Sequence, residues 1–164
     1  MDTEFFPTIA EVAITLAGFS GLVAAFQRPE SGWTDAAVTR ISVLLYLTFS
    51  VLLFALLPLA LYKTSLNAEF IWIGTLIGWS LSVLGVIAVM VVKMKKHGFS
   101  IELPVLTRIT VVVGVLYHVG CVPLALILGT AEPFLAIGLV WGVMYGGIVF
   151  YATLSHIWST GGSA

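Results

Sequence analysis

Residues 5–26 read FFPTIAEVAITLAGFSGLVAAF, an apolar run interrupted by one carboxylate, Glu11. At 1.5 Å rise per residue a helix of this length covers about 30 Å, the hydrocarbon thickness of a bilayer. The run predicts a membrane-spanning helix in which Glu11 is the anomaly. Four further apolar runs follow at 38–62, 70–92, 104–128 and 134–158. Over 164 residues the chain is 60% hydrophobic and 9% charged, with a mean hydropathy of +1.11. A soluble fold has too little interior to hide that much apolar surface. The expected fold class is therefore all-α: a polytopic integral membrane protein, one domain over residues 1–164, built as a single bundle of five transmembrane helices.

The basic residues predict how the chain is threaded, because cytoplasmic loops carry an excess of Lys and Arg. Arg28 and Arg40 flank the first connection, and Lys93, Lys95, Lys96 and Arg108 flank the third, whereas Lys63 alone marks the other side. With five spans this places the N-terminus outside and the C-terminus in the cytoplasm of the cell membrane, with Asp2, Glu4, Glu69 and Glu132 at outer ends. Trp33 and Trp158 are expected near the inner headgroups and Tyr62 and Trp72 near the outer ones, while Trp79 and Trp141 lie too deep to be anchors. Thr34 is a candidate cap for a second helix that begins before residue 38. The Lys93, Lys95 and Lys96 cluster is expected to set topology and to meet anionic lipid headgroups. The acidic N-terminus lacks the pattern of a cleaved signal, so the first helix is expected to remain.

Lipid supplies no hydrophobic drive between helices, so close approach depends on small side chains. Such residues recur at four-residue spacing: Ala13, Ala17, Gly21 and Ala25 in the first run, Gly74, Gly78 and Ser82 in the third, and Gly138, Gly142 and Gly146 in the fifth. A looser row, Gly114, His118 and Ala125, marks the fourth. Packing within the chain is the expected use of these rows, ahead of packing between chains. Pro58 and Pro123 lie inside spans and free the carbonyls of Phe54 and Val119, which predicts kinks. The fourth and fifth helices are expected to form an antiparallel hairpin through 129–133.

Polar groups at membrane depth are the candidate functional residues, since a buried ionisable side chain needs a partner or water. Glu11 lies about 9 Å along its helix from Phe5, and Thr8, Thr15 and Gly18 share its face. His118 lies about 15 Å from Leu128, near mid-membrane. Tyr117, Tyr145, Ser50 and Ser80 are at comparable depth. If the first and fourth helices were neighbours, Glu11 and His118 would form either a relay or a structural clasp. A metal set of Glu11, His118 and Cys121 lacks a fourth ligand, and a haem pair of His118 with His156 spans two depths. No cofactor is expected.

Catalytic motifs give no purchase. There is no G-x-S-x-G elbow, H-E-x-x-H pair or phosphate loop, and Ser20 reads as a packing residue. Nothing suggests nucleic-acid binding, and the lone Cys121 excludes an intrachain disulfide. The functional expectation is a small homo-oligomeric ion- or proton-conducting protein using Glu11, Thr15, Tyr117, His118 and Tyr145. The alternative is a non-catalytic accessory or scaffold subunit whose partners are other membrane proteins and lipid.

Overall fold

The apolar runs fold as five helices, α1 (Phe5–Phe26), α2 (Asp35–Leu61), α3 (Ala68–His97), α4 (Val105–Leu128) and α5 (Glu132–Gly161), in a computed structural model that describes residues 4–26, 35–97 and 105–161. Each helix is long and apolar enough to cross a membrane. Arg28, Trp33, Thr34, Pro104, Asp2 and the side chains of Lys95, Lys96, His156 and Trp158 lie outside the described residues. The third helix runs past the expected stop at residue 92, because the lysines that end its apolar stretch are good helix formers and do not interrupt the backbone ladder.

α5 is the axis of the bundle. It packs against all four other helices, while α1, α2, α3 and α4 follow one another around it and each touches its sequence neighbour except across the α1 and α4 ends. Among the described residues α1 and α4 share no contact, and neither do α1 and α3 or α2 and α4. The axial position of α5 follows from its glycines. A Cβ on Gly138 would fall 2.7 Å from Trp79 Nε1, and one on Gly142 would fall 2.8 Å from Val51 Cγ2 and 2.9 Å from the Trp79 ring. A Cβ on Gly146 would fall 3.0 Å from Leu16. The row thus admits side chains from α3, α2 and α1 in turn, all within the chain. Gly78 of α3 similarly admits Phe54, whereas Gly21 and Gly74 face open space and Ala17 is half-buried.

Short connections fix the hairpins. Asn67 caps α3 through a bond from Glu69 N–H to its Oδ1 at 2.8 Å. α4 ends at Gly129 with φ of 66°, and the Thr130 N–H reaches the Ala125 carbonyl at 3.1 Å. That is the left-handed glycine stop that turns the chain into α5. Both α2 and α4 continue as helix through Pro58 and Pro123. At the α2–α3 end Trp72 donates to Tyr62 Oη at 2.8 Å and packs on Phe6 at 5.2 Å. Trp72 is only 7% exposed, so of the expected outer anchors Tyr62 alone stands out at the surface.

Outside, the bundle is apolar in every direction. Ile14, Phe49, Leu81, Leu116, Ile127 and Met144 are all exposed on their different helices. A soluble chain rarely carries an apolar surface of that extent, and five helices long and apolar enough to span a bilayer are the build of a multi-pass membrane protein.

Candidate functional site

His118 is 2% exposed, in the middle of α4, where it is enclosed by rings. Trp79 of α3 stands edge-on at 5.8 Å, Trp141 of α5 at 5.2 Å and Tyr117 at 5.2 Å, and Trp141 stacks flat on Tyr145 at 5.3 Å. Edge-to-face and offset-stacked pairs are the geometries the ring quadrupole favours. Gly114, one turn before His118, provides the space for Trp141: a Cβ there would overlap the indole. The looser α4 row is therefore a socket for an aromatic side chain.

Four nitrogens in this cluster have no hydrogen-bond partner: both of His118, Trp79 Nε1 and Trp141 Nε1. Its rim is better satisfied. Tyr117 donates to the Phe134 carbonyl, tying α4 to the start of α5. Ser80 and Cys121 pair at 3.4 Å across α3 and α4, and Cys121 Sγ lies 3.6 Å from the His118 carbonyl oxygen. On the α2 side Tyr46 pairs with Ser82 at 3.1 Å, and Ser82 donates to Ser50 at 3.4 Å. A small cavity of about 20 Å³ lies among Ser50, Ser82, Trp141 and Tyr145. That is room for at most one water, and a lining of apolar surface favours a dry void.

Glu11 is elsewhere. It is exposed on α1, on a face with Glu4, Thr8, Thr15, Gly18 and Leu22, all exposed. The hydroxyls of Thr8 and Thr15 are internally satisfied, donating to the Glu4 and Glu11 carbonyls at 2.8 and 2.9 Å. The Glu11 carboxyl has no partner among the described residues. Because α1 and α4 do not touch, the structure does not bring Glu11 and His118 together as relay or clasp, and a joint metal set with Cys121 is not assembled. Among the described residues no group of three His, Cys, Asp or Glu side chains is placed to hold a metal.

Of the residues expected at comparable depth, Tyr117 is in ring contact with His118 and Tyr145 joins them through Trp141, with no hydrogen bond among the three side chains. Sequence reading missed the principal walls of this core, Trp79 and Trp141, and the Tyr46–Ser82–Ser50 ladder. The spacing of Tyr46 and Ser50 on one face of α2 was a usable signal, but only the register of the α2–α3 hairpin brings Ser82 to them. The fold and site thus define a bundle of five helices of membrane-spanning length with an aromatic core and, part-way along α1, an exposed carboxyl, Glu11, without a partner among the described residues. Comparison with known family models, characterised proteins and solved structures finds no match for the chain.

Proposed function

We propose that the chain is a non-catalytic subunit of a larger membrane assembly, docked through the Glu11 face of α1. In this reading it is a multi-pass protein of the cell membrane with its N-terminus outside and its C-terminus in the cytoplasm, the orientation that the bias of basic residues favours. The observation that carries the reading is Glu11 itself, exposed inside a membrane-length helix with no partner among the described residues. A carboxyl facing lipid is costly, and such groups normally face protein or wet space. A covering helix from another chain supplies the missing partner, and Thr15, Gly18 and Gly21 allow it close approach. α1 is also the least enclosed helix, with 17% of its apolar window buried against 39% for α2 and for α5.

A photo-crosslinker placed at Thr15 should capture another chain in native membranes, and one at Leu126, on the apolar face of α4, should capture lipid alone. Glu11→Ala should abolish the Thr15 product. Equal products from both positions, unaffected by Glu11→Ala, would overturn the reading.

One feature favours a second reading, a homo-oligomer that conducts ions or protons. Each unmet buried donor or acceptor costs about 1–3 kcal/mol, and the His118 core keeps four of them next to the Tyr46–Ser82–Ser50 ladder. Conduction would then use His118 with Tyr117 and Tyr145 inside a protomer and Glu11 with Thr15 between copies. Flux into proteoliposomes of the purified chain, lost separately in Glu11→Gln and His118→Phe, is its expected signature. Absence of flux from the inserted wild-type chain would refute it.

A further inference from the structure

A groove of about 400 Å³ opens between α2 and α3 at the end where Lys93 stands. Its α2 wall is Thr39, Ser42, Val43 and Tyr46, one helical face, and its α3 wall runs from Gly85 through Val89 to Lys93. Along α3 this is about 12 Å of helix, from the polar end toward mid-membrane. The deep end is closed by the Tyr46–Ser82 bond. The floor is open because Gly85 has no side chain and nothing lies within 4 Å of where a Cβ would stand.

The polar end of the groove has unused donors. The hydroxyls of Thr8, Thr15, Ser20, Thr48, Thr75 and Thr153 all bond to the carbonyl four residues earlier. That is how a helix satisfies hydroxyls in lipid. Thr39 and Ser42 make no such bond, nor any other among the described residues. Lys93 adds a cation beside them, the half-buried Arg40 lies one turn before Val43, and among the described residues no carboxylate lines the groove. Free hydroxyls and a cation at the mouth of an apolar trough complement an anion that carries a hydrocarbon tail.

We propose that this groove binds an anionic phospholipid of the leaflet at the Lys93 end, one acyl chain lying over Gly85 and the phosphate taken by Lys93, Thr39 and Ser42. The inference rests on the chain spanning a membrane and is independent of what covers Glu11. The test is lipid retention by the purified chain, exchanged into mixed micelles with phosphatidylglycerol or phosphatidylcholine and read by native mass spectrometry. The wild type should keep one phosphatidylglycerol, with about a fivefold preference over phosphatidylcholine, the size expected for one lysine at a membrane surface. Lys93→Gln should erase the preference while leaving equal retention of both lipids. Gly85→Leu and Ser42→Leu each fill the groove, from opposite walls, and should lose both lipids with helix content and elution unchanged. Equal retention of the two lipids by the wild type overturns the headgroup assignment. Retention of phosphatidylglycerol by either folded groove-filling variant overturns the site.

Discussion

Replacing Gly114 by Ala adds one methyl group to α4, and the structure assigns that methyl to space the Trp141 ring already occupies. The ring has little freedom to withdraw. It is stacked on Tyr145 and edge-on to His118, itself closed in by Trp79, which is 0% exposed. Overpacking of this kind costs about 1–3 kcal/mol, and losing one well-formed ring pair adds about 0.5–1.5 kcal/mol. Exchanging Gly for Ala inside a helix returns about 1 kcal/mol. The net loss is about 0.5–3.5 kcal/mol, or roughly a two- to 400-fold fall in the folded-to-unfolded ratio. Reversible unfolding in mixed micelles, followed by tryptophan fluorescence, measures it. Gly21→Ala is the internal control: nothing lies within 4 Å of its new methyl, so it should match or exceed the wild type. Trp141→Phe should offset part of the Gly114→Ala loss, because the two sites compete for one volume. If Gly114→Ala is as stable as Gly21→Ala, with unchanged emission, the aromatic socket is not packed as described.

Three further outcomes follow from the same geometry. Gly129→Ala puts a side chain at φ of 66° and should cost about 1–2 kcal/mol of stability in the same assay. Tyr117→Phe removes the bond to the Phe134 carbonyl and should cost about 0.5–1.5 kcal/mol, with no effect on the Thr15 crosslink. Cys121 is 1% exposed, so a small maleimide should leave it unlabelled in the folded chain and label it fully once the bundle is unfolded in detergent.

The five helices were legible because span length and apolar composition are local properties, and the α4–α5 turn because glycine and proline punctuate it. Helix ends were less so: Lys93 ends the apolar stretch, but the backbone ladder continues to His97. The α5 glycine row was readable as a packing face, but what it packs against was not. Trp79 enters that row from another helix, and nothing within either segment encodes the register between them. The pairing of Glu11 with His118 depended on α1 and α4 being neighbours, which depth alone does not decide. Depth constrains position along the membrane normal and leaves the order of helices around the bundle free, and that order places α1 and α4 apart.

Under the docking proposal, the same arrangement of helices favours α1 as the face a partner covers. α5 uses Gly138, Gly142 and Gly146 inside the chain, and the exposed face of α4 is Val112, Leu116, Val119 and Ile127, which lipid tails satisfy as well as any protein does. Among the described residues α1 combines open small residues, Gly18 and Gly21, with a carboxyl placed well inside its apolar run, where lipid cannot satisfy it. Interhelical hydrogen bonds in membranes contribute about 0.6 kcal/mol on average and up to about 1.7 kcal/mol. Glu11→Ala should therefore weaken assembly by roughly three- to twentyfold while leaving the unfolding of the isolated chain unchanged, since the carboxyl has no partner among the described residues. Gly21→Leu, which closes the approach without touching the bundle, should weaken assembly at least as much. Native gel mobility across a detergent dilution series reads association, and micellar unfolding reads the fold. A Glu11→Ala chain that loses stability but keeps its assembly would show that Glu11 is held by a contact within the chain, and the α1 face would cease to be the docking surface.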